Sequence, residues 1–432
     1  MTVLIPTVEA AFREVFGESG SPGDIGLEAG RQTGDLEDSN SQDRLGCGNG
    51  SRIEAGVTGA RVEGLRFVRA PGRVNLLGEH TDYNEGFVLP AAIDLDIVIG
   101  FRPRNDRLVR LYSVEYKEGV EFSLDRVDYD AEHKWSNYFR GVAYVLEKHG
   151  IPKRYGCELR GMDAVVKGDV PEGAGLSSSA AFEVASALAL LGAAGVRVEG
   201  EAGIPTGSDI QIRGAYGGGN LEEVLSRVEL ARLCQEAENE FVGVKCGIMD
   251  QMASLLGRAG SALFLDCRTY EYELVPLPFK GVKLVICDTG LRRGLLQSEY
   301  NRRGEECRTG VRLIRELLEG PPGGSSGNPA SEGLEGRVSA GHIPGPGHTP
   351  GMRRGAVKCG GAPSCGRIAT LRDVSWEEFE EIRRKLPSVI AKRCAHVIGE
   401  NERVLKGVEA LKRGDVEQFG ALMNESHESL RD

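Results

Sequence analysis

Residues 168–181 read GDVPEGAGLSSSAA, and an Ala-rich run follows them. Glycines at 173 and 175 let backbone N–H groups approach an anion without a Cβ in the way, and a helix starting here points its positive end at the same place. With Ala174 and Leu176 between and after them, Gly173 and Gly175 lead into Ser177, Ser178 and Ser179, whose hydroxyls suit phosphate oxygens or a hard cation. The Gly-Lys-Ser/Thr ending of a P-loop is missing. A glycine turn with a serine cap ahead of an ordinary core helix accounts for the same residues equally well, so the loop alone leaves both readings open.

CELRGMDAVV before the loop reads as a strand and EVASALALLGAAG after it as a long helix. The alternating segments LDIVIGFRPR (95–104) and RLVRLYSV (107–114) read as half-buried strands that neighbour each other in one sheet. SNYFRGVAYVLEKHG (136–150) spaces its apolar residues at helical intervals and stops at Gly150. LEEVLSRVELARLCQEAENEFVG (221–243) is a further helix, KCGIMDQMASLLGRAGSALFLDCRT (245–269) is a helix followed by a strand, and GVKLVICDTG (281–290) has the pattern of a buried strand. From Ser375 onward the period is helical, with Ser375 and Glu378 spaced as a capping box.

Composition narrows the classes. The 432 residues, 40% hydrophobic, can fill real cores, and a net charge of −11 without a long basic run argues against a nucleic-acid surface. Residues 1–17 form a helix and carry Glu9, Arg13 and Glu14 where a secretory leader needs an unbroken apolar core. No stretch approaches the ~20 apolar residues of a membrane span. Cys157, Cys234, Cys246, Cys267 and Cys287 fall singly in core-like segments, as reduced buried thiols of a cytoplasmic protein do. Cys359 and Cys365, with His342 and His348 upstream, do not have zinc-site spacing. Residues 18–59, 199–219 and 320–366 are Gly/Ser-rich with few large apolar side chains and read as disordered insertions.

Two more segments carry chemistry. APGRVNLLGEHTDYNEGFVLPAAID (70–94) packs Arg73, Asn75, Glu79, His80 and Asp82 into ten positions among glycines and apolar residues. Ionisable groups on an apolar frame either pair with one another or bind something polar, so the segment suits a pocket for a polyhydroxylated ligand or a structural salt-bridge cluster. GIMDQMAS (247–254) puts Asp250 beside a glycine turn at a helix start, where it serves either as a general base or as a helix N-terminal acid.

These three segments, in this order, resemble those of galactokinases, members of the GHMP kinase superfamily of small-molecule kinases. GRVNLLGEHTDYNEG resembles the family's sugar signature and PEGAGLSSSAA the superfamily's ATP loop; KWSNYFRGV, CGIMDQMASLLG, FLDCRT, DTGLRRGLLQSEYNRR and LMNESHESL continue the similarity. The resemblance implies an α+β, two-domain GHMP kinase architecture. Its N-terminal domain (60–275) would be of the ribosomal-protein-S5-like type and its C-terminal domain (276–432) ferredoxin-like and incomplete. Galactokinases carry a late GGGFGG-type loop, and this sequence ends before one. It therefore reads as C-terminally truncated. Gly304 in SEYNRRGEEC departs from the charged residue usual in the family.

The resemblance further implies that ATP phosphorylates the C1 hydroxyl of galactose. Asp250 would accept the hydroxyl proton and Arg73 would keep Asp250 ionised while steadying the transferring phosphoryl group. Glu79, His80, Asp82, Gly247 and Tyr300 would form the sugar site, Gly173 to Ser179 and Trp135 the nucleotide site, and Ser179 and Glu238 the Mg²⁺ site. The protein would be a cytoplasmic monomer with no nucleic-acid or membrane partner. A kinase for a related sugar such as N-acetylgalactosamine, a non-catalytic galactose and ATP binder, and an inactive fragment are the alternatives.

Overall fold

A computed structural model describes residues 4–17, 62–199, 224–278, 281–288, 290, 296–320 and 368–431. All three Gly/Ser-rich insertions, and Cys359 and Cys365 with them, fall essentially outside these residues. The first half runs α1 (Leu4–Phe16), β1 (Arg66–Asn75), β2 (Phe87–Val88), β3 (Pro90–Pro103), β4 (Leu108–Ser113), β5 (Glu118–Ser123), α2 (Asn137–Lys148), α3 (Ile151–Arg154) and β6 (Met162–Gly168). It continues with α4 (Ser178–Ala194), α5 (Arg227–Glu236), α6 (Met249–Leu256), β7 (Ser261–Asp266) and β8 (Tyr272–Pro276). Helices α7 (Leu296–Glu319), α8 (Trp376–Ile382), α9 (Ser388–Arg413) and α10 (Val416–Arg431) follow.

Five strands form a sheet in the order β1-β3-β6-β4-β5, antiparallel except for the parallel β4–β6 pair, and β2-β7-β8 form a smaller antiparallel sheet. The strands at 95–104 and 107–114 thus share a sheet but are not neighbours. Strand β6 lies between them, because its run from Met162 to Val166 is buried and needs a partner on both sides.

Helix α4 explains its own composition. Every residue from Ala180 to Ala193 is buried, so the helix lies inside the protein, where small alanines let the sheet and helices approach on all sides. It packs with α2, α5 and α6 on one face of the large sheet, while α1 covers the other face through Val8 and Phe12 against Val98 and Val165. Helix α2 ends as expected, with Gly150 left-handed at φ +58°. Ser375 and Glu378 close a capping box on α8.

Two further expectations need correction. Segment 282–288 forms no strand, and Val285 is 75% exposed. An apolar run reads as a buried strand only if a sheet receives it, and among the described residues none does. Cys287, on the same segment, is therefore exposed; Cys157 and Cys246 are partly buried, and only Cys234 and Cys267 of the five are fully enclosed. The helix read over 221–243 is shorter as well, starting at Arg227 on a Ser226 cap and passing into a π-helical stretch at Ala237–Val242.

Candidate active site

Strand β1 breaks register between Pro71 and Arg73. Such a bulge re-aims the next side chain. Gly72 makes it possible, since a Cβ there would lie 2.6 Å from the Leu176 carbonyl oxygen. The Arg73 backbone N–H donates to that carbonyl at 3.0 Å, tying the strand to the 168–181 loop.

From this anchor the Arg73 guanidinium reaches two segments at once. Its Nε and Nη2 donate to Asp250 Oδ1 at 2.8 and 2.7 Å, and Nη1 donates to the Gly175 carbonyl at 2.6 Å. Burial works against the Arg73 charge, but Asp250, Glu79 and Asp82 outweigh it, so the group stays charged. Ser177 Oγ donates to the other oxygen, Asp250 Oδ2, at 2.5 Å. Asp250 lies in the first turn of α6 and is held on both oxygens by groups from two other segments.

The loop has the backbone a phosphate cradle requires. Gly173 and Gly175 have φ of +70° and +82°, and Ser177 itself is left-handed at +61°. Ser177 occupies the cap position of α4 but makes no side-chain cap, since its hydroxyl serves Asp250 instead. The helix start is thus left open to an outside acceptor, a poor fit to a simple serine cap. Ser178 and Ser179 begin α4, and Ala174 and Leu176 pack toward the main core.

One turn on, Phe182 meets the Trp135 ring at 6.3 Å, and Trp135 stacks on Tyr116 at 5.7 Å with the planes 18° apart. Tyr116 donates to Glu172 of the loop at 2.7 Å. Trp135 is therefore beside the loop, in an aromatic stack, with its Nε1–H donated to Glu118.

The 79–82 carboxylates converge on the same place. Burial and the Asp250 charge push Asp82 up to about 7, while burial raises Glu79 against the pull of Arg73. Gly247 lies against Asp82, where a Cβ would be 2.0 Å from Oδ2. His80 is left-handed at φ +65°, with its ring between Tyr83, Tyr300 and His396. Tyr300 comes from α7, and burial raises its phenol.

A second cluster lies behind Asp250. Gln251 Nε2 donates to Glu183 and Glu238, both at 3.0 Å, Cys246 Sγ donates to Glu238 at 2.9 Å, and Ser179 also hydrogen-bonds Glu238. Burial raises both carboxyls, helped by the charge of Asp250 at Glu238 and of Glu238 at Glu183. Oε1 of Glu183 and Oε1 of Gln251 are buried with no hydrogen-bond partner.

Several supports escape sequence reasoning. Glu400 of α9 accepts from the Gly78 N–H at 2.8 Å, Asn401 accepts from the Phe87 N–H at 2.9 Å, and His396 Nε2 donates to the Glu79 carbonyl at 2.9 Å. These hold the 78–87 loop from more than 300 residues away. The one local signal is polar residues on the inner face of an otherwise amphipathic helix, at 396, 400 and 401, all buried.

The chain is similar to known proteins. Residues 58–103 match the galactokinase galactose-binding signature, and residues 137–220 and 215–258 match the N-terminal domain of GHMP kinases. The galactokinase of Chloroflexus aggregans is 39% identical over 368 residues, 85% of this chain and 73% of that protein. That of Roseiflexus sp. strain RS-1 is 39% identical over 366 residues, with the same coverage. The crystal structure of Lactococcus lactis galactokinase complexed with galactose matches 86% of this chain and 76% of its own, with a TM-score of 0.63 and 30% identity.

Proposed function

The chain belongs to the galactokinase family, has the GHMP kinase fold and is a sugar kinase using ATP, and we propose that the residues gathered around Asp250 carry out the transfer. The acceptor is galactose. Its C1 hydroxyl gives its proton to Asp250 as the oxygen attacks the γ-phosphorus, the bond to the β-phosphate oxygen breaks, and ADP leaves. Arg73 orients the base and faces the charge spreading over the phosphoryl oxygens; its planar fork binds a carboxylate on one edge and leaves the rest for phosphate. Glu79, His80, Asp82, Gly247 and Tyr300 form the sugar pocket. Gly173 to Ser179 receive the phosphates at the α4 N-terminus, and Trp135 stands at the base end of the nucleotide. Residues 60–275 and 276–432 are the two halves of the kinase, with Tyr300 reaching the pocket from the second.

The donor set fits Mg²⁺, since the Ser179 hydroxyl and the Glu238 carboxylate adjoin each other beside uncompensated buried oxygens of Glu183 and Gln251. Mg²⁺ takes few protein oxygens and keeps water and phosphate as its other ligands, and it would neutralise phosphate charge there. Free thiols buried at Cys234, Cys267, Cys307 and Cys394 suit a reducing cytoplasm.

The observation that carries the reading is Asp250 clamped between Arg73 of the sugar segment and Ser177 of the nucleotide loop. Steady-state transfer by wild type and Asp250→Asn tests it, with galactose, N-acetylgalactosamine and no sugar as acceptors. Loss of roughly 10²–10⁴ in kcat is expected, with galactose still binding. Full turnover by Asp250→Asn would remove the base assignment, and a higher kcat/KM for N-acetylgalactosamine would remove galactose as the acceptor.

A further inference from the structure

His80 is held at its backbone and at both ring nitrogens. Its backbone is left-handed, and its carbonyl accepts from Asn84 Nδ2 at 2.8 Å. Its Nδ1 lies 2.9 Å from Tyr83 Oη, and its Nε2 lies 2.9 Å from Nη1 of Arg303. A left-handed backbone at a non-glycine residue is held only where the surroundings over-determine it.

The Arg303 contact decides the chemistry of the ring. A guanidinium has N–H donors and no acceptor, so Nε2 must offer its lone pair. A neutral imidazole has one N–H, which is then on Nδ1 and donates to Tyr83 Oη. An imidazolium would set donor against donor at Nε2. Among the described residues, the titratable and charged groups around the ring include Tyr83 beside it in the chain, Tyr300, Arg303 and Cys307 on α7, and Lys392, Arg393 and His396 on α9.

We propose that Arg303 is a positioning residue for the sugar site, donating to His80 Nε2 so that the imidazole stands in the pocket wall as the neutral Nδ1–H tautomer. The inference rests on the galactokinase reading for the sugar alone. Arg303 touches neither Asp250 nor the nucleotide loop, so its effect falls on sugar binding rather than on phosphoryl transfer.

Long-range ¹H–¹⁵N spectra of the full chain with ¹⁵N-labelled histidine read the tautomer directly. Seven histidines are present, and His80→Gln identifies the signal. The wild type without sugar is expected to show bare Nε2 and protonated Nδ1 at neutral pH. In Arg303→Met the pattern should shift toward Nε2–H, and KM for galactose should rise about tenfold, the loss of one charge-assisted hydrogen bond, with kcat and KM for ATP within about twofold. Arg303→Lys, which still donates an N–H, should restore the Nδ1–H pattern and part of the KM. An Nε2–H or imidazolium pattern in the wild type would overturn the proposal without any variant. So would an unchanged galactose KM in a folded Arg303→Met, or an equal loss in kcat. Failure of the wild type to phosphorylate galactose would instead count against the galactokinase reading, since the tautomer is read without sugar.

Discussion

Asp82, which we place in the sugar pocket, costs the unliganded protein stability at neutral pH because it is buried beside Asp250, and replacing it by asparagine should expose that cost. Burial first, and the Asp250 charge second, raise its carboxyl from an ordinary 3.8 to about 7. The folded protein therefore holds the Asp82 proton more tightly than the unfolded chain. Stability from this group is full below the unfolded value near 3.8 and is lost as pH rises through 7. At about 1.4 kcal/mol per pKa unit, the shift costs roughly 4 kcal/mol above pH 8, of which roughly 1.5 has been lost by pH 5. Asp82→Asn does not titrate, and it removes the repulsion of the Asp82 carboxylate with Asp250 and Glu79. Relative to wild type it should gain roughly 2.5 kcal/mol between pH 5 and pH 8. For a protein of this size that is a Tm difference growing by about 3–4 °C. Thermal unfolding of both proteins, without ligands, at the two pH values measures it, and effects of distant groups cancel in the difference. A Tm difference that is equal at both pH values, or larger at pH 5, would show that the Asp82 carboxyl is not raised in the folded protein. Galactose should stabilise the wild type and leave Asp82→Asn nearly unmoved.

Gly247→Ala places a methyl 2.0 Å from Asp82 Oδ2, and the carboxylate must move. Steady-state kinetics should show galactose KM raised by about tenfold or more with ATP KM unchanged, and an unaltered galactose KM would show that Asp82 can yield freely. Glu238→Gln removes the charge proposed to hold Mg²⁺. The Mg²⁺ concentration for half-maximal rate should rise at least about tenfold, and calorimetric binding of ADP should lose its Mg²⁺ dependence. An unchanged Mg²⁺ requirement would place the ion elsewhere.

How much of the site is readable from sequence depends on how local each contact is. The 168–181 loop, the 70–94 cluster and Asp250 are visible because each concentrates glycines and polar groups in a short window. Gly173 and Gly175 are left-handed, and a Cβ at Gly72 or Gly247 would collide with Leu176 or Asp82. The contact that joins them is not local. Arg73 and Asp250 are 177 positions apart, and no periodicity announces that a bulge at Gly72 turns one toward the other.

The physics of chain-neighbour effects settled the Ala-rich helix after the loop, the capping box at Ser375 and the stop at Gly150, since capping, propensity and left-handed backbone act within a few residues. Packing settled the rest. Strand β6 between β3 and β4, the exposed run at 282–288, the His396, Glu400 and Asn401 supports and the Arg303–His80 contact all depend on which surfaces meet. An apolar run does not record its partner, and a buried polar side chain on a helix does not record the loop it will hold. Local order costs little to encode in a short window, whereas the direction of His80 Nε2 or Asp250 Oδ1 is a property of segments 223 and 177 positions apart brought to within a hydrogen bond.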